Sequence, residues 1–275
     1  MIAPLTDPEF DQFARFIFDA AGISLTHNKK ALVAGRLAKR VQERQLDSYG
    51  AYFRLLTGGA APDEVQAAID LLTTNETYFF REPAHFDLLR DLALHARGRA
   101  EPFRVWSAAC SSGEEAYSIA MVLADCLPGA AWEVVGSDIS TRMLARARVG
   151  HYPLERAKQL PPAYLRRFCL RGIEEQEGTL LVIRQLRRRV QFVPVNLNAA
   201  LPQLGTFDAI FLRNVMIYFN AATKRDVVAR LVTQLKPDGY FLTSHSESLH
   251  GISDAVQLVA PSIYRRATRR RSRRA

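Results

Sequence analysis

The sequence predicts an α/β fold: an open, mostly parallel sheet with helices on both faces, preceded by a small all-helical domain and carrying a small antiparallel β subdomain. Three observations predict it. Residues 103–138 read as strand, tight turn, helix and strand, which is one parallel crossover unit. Apolar strand patterns recur at 193–198, 207–212 and 240–243, with helical stretches between them. The first 75 residues carry helical periodicity alone. The division drawn is therefore 1–75 for the helical domain and 76–275 for the sheet domain, with the β subdomain inserted at about 170–193 and a basic tail at about 265–275.

In the helical part, Phe10, Phe13, Ile17 and Phe18 form one stripe after a cap expected at Asp7, with Pro8 at the first helical position. A second helix, 27–44, sets Leu32, Val33, Leu37 and Val41 against Lys29, Lys30, Arg36, Lys39, Arg40 and Arg44. Its basic side reads either as a solvated face or as a docking surface for an acidic or helical partner. Helices at 48–56 and 62–72 follow, separated by Gly58 and Gly59. Next come Thr73, Thr74, Asn75 and Glu76, then the aromatics Tyr78, Phe79 and Phe80 before Arg81. Three adjacent aromatics imply core or interface packing, or a holder for Arg81 at the mouth of a pocket. Pro83 then opens a helix to about Ala96.

The crossover unit carries the chemistry. Ligands of parallel sheets sit beyond the carboxyl ends of the strands, and Gly113, amid the small residues 108–112, lets backbone approach a ligand closely. Asp138 ends the second strand, where a carboxylate can accept both hydroxyls of a ribose. The turn has one glycine followed by Glu114 and Glu115, unlike the three-glycine dinucleotide fingerprint. Two acids disfavour phosphate but suit a sulfonium or an ammonium, and S-adenosylmethionine carries both. The alternative is a plain crossover helix whose glutamates complement its positive first turn.

A helix at 139–149 follows and ends at Gly150; 151–153 begins a connection, and Pro161 and Pro162 precede another helix. The stretch 170–193 breaks the rhythm with an acidic turn between Gly172 and Gly178, an apolar run at 180–183 and another at 190–193. Two or three short antiparallel strands fit it. Beyond the strand at 207–212 lie Arg213 and Asn214, then a helix at 221–235, a tight turn at 236–239, and a strand ending at Ser244, His245, Ser246 and Glu247. Edge strands are expected at 256–259 and 262–265.

Composition narrows the class. With 275 residues, 48% hydrophobic and 24% charged, the chain has ample material for a core. Of the net charge of +9, much is local, since Arg265, Arg266, Arg269, Arg270, Arg271, Arg273 and Arg274 crowd the end, so nucleic acid is a weak expectation. Cys110, Cys126 and Cys169 are scattered and odd in number, which fits a reducing compartment and offers no metal spacing. No apolar run approaches the roughly 20 residues of a membrane span and no signal peptide is evident, so a soluble cytoplasmic chain without membrane insertion and without metal is expected.

Several segments together resemble a known family, the chemotaxis-receptor glutamate O-methyltransferases of the CheR type. They are 73–81 (TTNETYFFR), 104–109 (RVWSAA), 113–115 (GEE), 137–139 (SDI), 207–211 (FDAIF), 213–219 (RNVMIYF), 235–239 (LKPDG) and 244–247 (SHSE). The resemblance implies a helical domain before a Rossmann-like methyltransferase domain with an inserted β subdomain. It also implies S-adenosylmethionine as cofactor, S-adenosylhomocysteine as product, and methylation of glutamate γ-carboxylates on the cytoplasmic helical region of a chemoreceptor. Carried over by motif, Asn75, Thr77 and Arg81 border cofactor and active site, Glu115 approaches the methionine amino end, Asp138 takes the ribose, and Asn196 and Leu197 lie near the adenosine. Arg213, Asn214 and Tyr218 line the reaction centre, with Arg81 and Tyr218 as the catalytic pair.

Cys110 and Glu76 depart from the family's usual residues. In some relatives the β subdomain grips a receptor C-terminal peptide through a glycine-containing loop; here the loop from Gly172 to Gly178 is acidic, with Arg187, Arg188 and Arg189 beyond it. A monomer is expected. The competing readings are a methyltransferase of the same fold acting on RNA or a small molecule, and a non-catalytic cofactor-binding scaffold. His151 and His245 are left out of catalysis because an ionised carboxylate needs no base.

Overall fold

Thr6 opens the first helix. Its hydroxyl accepts the Glu9 N–H while the Glu9 carboxylate accepts the Thr6 N–H at 2.8 Å. This reciprocal box displaces the cap expected at Asp7, which instead sits in the first turn and pairs with Lys30. The computed structural model describes residues 2–267, so of the arginine tail only Arg265 and Arg266 fall within it and the rest lies outside the described residues.

Helices α1 (Asp7–Ala21), α2 (Lys30–Glu43), α3 (Tyr49–Thr57) and α4 (Pro62–Leu72) form the N-terminal unit. Their shared centre is charged as well as apolar. Glu64, 1% exposed, accepts from Tyr52 at 2.8 Å, from Arg40 Nε at 2.8 Å and from Arg44 Nε at 2.7 Å. Part of the basic side of α2 therefore serves packing. Hydrogen bonds, above all from Arg40, hold the Glu64 carboxyl down at about 2 despite its burial. Because the folded value lies below that of the unfolded chain, this group's stabilisation is present above the ordinary glutamate pKa and lost as pH falls towards 2. Glu64→Ala, which strands two arginines and a tyrosine, should lower unfolding free energy at pH 7 by about 3 kcal/mol, and chemical denaturation measures it. A variant as stable as the parent would show the cluster to be dispensable.

After α5 (Ala84–His95) come β1 (Phe103–Ser107), α6 (Glu114–Cys126), β2 (Trp132–Asp138) and α7 (Thr141–Val149). Then β3 (His151–Pro153), α8 (Pro162–Phe168), β4 (Cys169–Arg171), β5 (Thr179–Val182) and α9 (Arg184–Arg187) lead to β6 (Val190–Pro194). The chain continues through β7 (Phe207–Phe211), α10 (Ala221–Thr233), β8 (Leu235–Leu242), β9 (Val256–Ala260) and β10 (Ile263–Arg266). The main sheet runs β6-β2-β1-β7-β8-β10-β9, parallel through β8 and antiparallel at β10 and β9.

Two strand expectations are corrected. The run at 190–193 is β6, parallel to β2 on the edge of the main sheet, rather than part of the insert. The small antiparallel sheet is instead β3-β5-β4, so 151–153, read as the start of a connection, is one of its strands. A short apolar run does not reveal its partner, and only the hydrogen-bonding register separates the two assignments. Likewise 236–239, read as a turn, lies within β8, where the register with β7 shifts between Phe207 and Ala209.

Side-chain alternation divides the core between the two faces of the sheet. Val105 and Val134 belong to one cluster, with α5 and α6; Trp106 and Val135 belong to the other. That second cluster also contains Phe13, Leu37, Tyr52 and Leu72, so the helical unit buries its apolar stripe in a core continuous with the sheet face. Polar ties reinforce the join. Asp70 of α4 accepts the Thr141 and Arg142 N–H groups at the start of α7, and Ile23 bridges to Phe219.

Candidate active site

The carboxyl ends of β1, β2, β6 and β7 open into one cleft, closed over by the segment that links the helical unit to α5. Its volume, counted to its open mouth, is about 900 Å³. All ten residues named from the sequence (Asn75, Thr77, Arg81, Glu115, Asp138, Asn196, Leu197, Arg213, Asn214 and Tyr218) line it, together with Ala21 and Ile23 from the helical unit.

The turn after β1 brings main chain to the cleft. Gly113 adopts φ +97°, and a Cβ there would stand 2.8 Å from Ala147 Cβ, so glycine answers both a backbone and a packing demand. Asp138, 8% exposed, accepts the Ser111 N–H at 2.8 Å through one carboxylate oxygen and the Ser140 N–H at 2.9 Å through the other. Each oxygen keeps a further acceptor site, which is the acceptor set that the two hydroxyls of a vicinal diol can donate to. Burial raises the Asp138 carboxyl above its ordinary value, with the amide bonds opposing it.

The two acids of the turn part company, because neighbours on a helix project about 100° apart. Glu114 is fully buried away from the cleft, paired with Arg156 at 2.8 Å and Ser112 Oγ at 2.7 Å. Only Glu115 reaches the cleft, where it accepts from Ser107 Oγ at 2.6 Å and from Arg213 Nη1 at 2.9 Å. Burial raises its pKa against the pull of Arg213. The Arg213 side chain, 1% exposed, also reaches the Arg81 carbonyl and stands 3.2 Å from Glu82 Oε2. One negative charge of the expected acidic pair is thus turned inward, and the other is matched by a buried guanidinium.

At the outer end, Arg81 donates to the Glu76 carbonyl at 3.2 Å and lies over the Tyr78 ring, 5.5 Å from its centroid. Phe79 and Phe80 are core residues. Both readings of the aromatic cluster therefore apply to different members of it. Asn75 Nδ2 donates to Thr73 Oγ1 at 3.0 Å, and the Thr77 carbonyl accepts from Arg156. The Asn196 amide is committed to Ala20 O at 2.6 Å and to the Asn198 N–H at 2.9 Å, which leaves its main chain and wall to a ligand. Leu197 contributes apolar wall, and its carbonyl accepts from Arg230.

Sequence reasoning passed over the organiser of the β7 loop. Glu247 accepts the N–H groups of Asn214, Ile217 and Ser244 at 2.9, 3.2 and 3.0 Å, and the Ser244 hydroxyl at 2.7 Å. It thereby fixes Asn214 in its left-handed conformation, φ 58°, and so directs the run to Tyr218. Its signals were an acid just past a strand end and its place in the 244–247 segment of the resemblance, neither of which gives it a role. Arg36 was also missed: it holds the carbonyls of Leu72 and Thr73 and the Thr74 hydroxyl, anchoring the segment that roofs the cleft. His151 and His245 do not line the cleft.

A parallel sheet with a one-glycine crossover turn, a buried carboxylate after its second strand with acceptor sites open to the cleft, and an arginine and a tyrosine in the same lining is the arrangement of an α/β protein of the nucleoside-cofactor methyltransferase class. Comparison with known proteins agrees. The family model described as "CheR methyltransferase, SAM binding domain" matches residues 75–264, and "CheR methyltransferase, all-alpha domain" matches 8–73. The "Chemotaxis protein methyltransferase" of Escherichia coli K12 is 44% identical over 264 residues, covering 94% of this chain and 91% of that one. "Chemotaxis protein methyltransferase 2" of Pseudomonas aeruginosa is 42% identical over 262 residues, covering 94% and 93%. A solved glycopeptide N-methyltransferase with bound S-adenosylmethionine aligns at TM-score 0.33 and 19% identity over 58% of this chain and 52% of that one, too distant to bear on the site. The chain belongs to the CheR methyltransferase family. Among the described residues no helix is long and apolar enough to cross a membrane.

Proposed function

We propose that the protein methylates glutamate γ-carboxylates on the helical cytoplasmic region of a chemoreceptor, giving glutamate methyl ester and S-adenosylhomocysteine. The observation that carries this reading is the placing of Arg81 and Tyr218 in the same cleft as Asp138 and Glu115. A carboxylate-binding arginine thus shares one cavity with a diol acceptor. The names of the relatives support the chemotaxis setting.

When bound, S-adenosylmethionine supplies a methyl group on a positively charged sulfur. Asp138 would hold the ribose, and Glu115, oriented by Ser107 and Arg213, the amino end of the methionine moiety. A glutamate side chain, with a pKa of about 4.3, arrives ionised at pH 7, so no residue has to remove a proton. Its requirement is loss of water and alignment. Arg81, with one nitrogen on Glu76 and its face on Tyr78, keeps the rest of its fork for that carboxylate, and Tyr218, in the same lining, positions the methyl group or the attacking oxygen. The small antiparallel sheet, whose surroundings expose Leu170 and Ile173, is the proposed seat of a receptor C-terminal peptide.

The test is transfer of labelled methyl to a receptor cytoplasmic fragment and to the same fragment with its acceptor glutamates changed to glutamine. Base-labile label on the first and none on the second is expected. Equal labelling of both, or label on RNA alone, would remove the proposal.

A further inference from the structure

Behind Arg213, outside the cleft, Glu82, His85 and His245 come together, although His245 is remote in sequence. Their ligand atoms Glu82 Oε2, His85 Nδ1 and His245 Nε2 lie within 4.8 Å of one another. The carboxylate oxygen is 3.5 Å from His85 Nδ1 and 3.7 Å from His245 Nε2. Ligands on a tetrahedral ion with bonds of about 2.0–2.1 Å stand roughly 3.3–3.5 Å apart, so the two separations from the carboxylate need little adjustment, while the two imidazole nitrogens, within 4.8 Å of each other, must draw together as the exposed His245 ring turns.

Hydrogen bonding supports one tautomer of the buried imidazole. With the Ser262 hydroxyl donating to the Pro261 carbonyl at 2.6 Å, His85 Nε2 at 2.8 Å donates to Ser262 Oγ, the arrangement compatible with a bound ion. In that tautomer His85 Nδ1 carries a lone pair. The ring is 0% exposed, and among the described residues neither Nδ1 nor Glu82 Oε2 has a hydrogen-bond partner. Two buried acceptors facing each other leave a desolvation cost that a shared cation removes. Arg213 Nη2, 3.2 Å from Glu82 Oε2, offsets part of the carboxylate charge but does not reach His85 Nδ1 with a hydrogen bond. The rings of His85 and His245 lie within 8° of parallel, their centroids 5.5 Å apart.

We propose that Glu82, His85 and His245 form a binding site for one divalent transition-metal ion of the zinc class. Two imidazoles and a carboxylate leave one tetrahedral position for water. Ser262 acts as the outer partner that orients a ligating histidine through its other ring nitrogen. The ion pins the exposed His245, and with it the turn that carries Glu247, onto the segment that carries Arg81. The positive charge of Arg213 holds the affinity to a modest level.

The test uses the untagged full-length chain, stripped with a chelator and titrated with Co²⁺. One ion per chain, with the intense visible absorption of tetrahedral cobalt and displacement by Zn²⁺, is expected. Because His245 is exposed, His245→Ala should leave the chain folded and weaken cobalt binding by at least about tenfold. His250→Ala, in the exposed loop beyond, should leave binding unchanged. Absence of the cobalt band, or binding by His245→Ala as tight as by the parent, overturns the site. An equal loss in His250→Ala would show that the ion sits on surface imidazole instead, and overturns it as well.

Discussion

Arg81→Ala should lower the rate of methyl transfer to receptor glutamates by about 10²–10³-fold while leaving the affinity for S-adenosylmethionine within about threefold, in line with the loss of one preorganised donor at a reacting group. The asymmetry follows from the place of the side chain. Its anchors, the Glu76 carbonyl and the Tyr78 ring, lie in the segment that roofs the cleft, whereas Asp138 ends β2 and Glu115 lies in the first turn of α6. In the proposed function, removing the guanidinium would leave the ribose and methionine contacts in place and take away the group that replaces water around the incoming carboxylate. Arg81→Lys keeps the charge but loses the planar fork, and should recover only part of the rate. Single-turnover methylation and calorimetric cofactor binding, measured on the same preparations, separate the two effects. Equal losses in rate and affinity would make Arg81 a cofactor-binding residue, and an unchanged rate would remove it from the reaction.

How much of this was legible in the sequence depended on whether local chemistry or a distant partner settles the matter. Gly113 and Asp138 declared themselves because a strand-turn-helix pattern fixes where a turn and a strand end must face. Their neighbours Glu114 and Glu115 look equivalent in sequence, yet one turns to Arg156 and the other to the cleft, a difference set by helix phase and by a partner 42 residues away. The assignment of 190–194 to the main sheet depended on its register with β2, which no apolar run encodes. Glu247 was hidden for a related reason. A carboxylate that gathers three backbone N–H groups from two strand ends acquires its role only after those ends meet. The family resemblance reached the cleft residues because their motifs are local; it left unmentioned the long-range supports Arg36 and Asp70, which join the helical unit to the sheet.

Asp138→Ala should weaken S-adenosylmethionine binding by at least about 100-fold. Hydrogen bonds to a charged group contribute about 1.5–3 kcal/mol each, and in the proposed function two ribose hydroxyls would meet this carboxylate, so the lower bound for the pair is about 3 kcal/mol, or roughly two decades in affinity. The substitution also strands the N–H groups of Ser111 and Ser140, which the carboxylate accepts. A loss of affinity could therefore reflect a disturbed turn after β1 instead of a lost contact with the ribose, and the cofactor must be varied along with the protein. A 2′-deoxy analogue should bind the parent at least about tenfold more weakly than S-adenosylmethionine, and Asp138→Ala should bind both alike, which is the coupling expected of a direct contact. If the variant still discriminates between the two ligands as the parent does, the carboxylate supports the turn and the hydroxyls are held elsewhere. The cleft would then lose the feature that distinguishes it from a general cavity at the end of a parallel sheet.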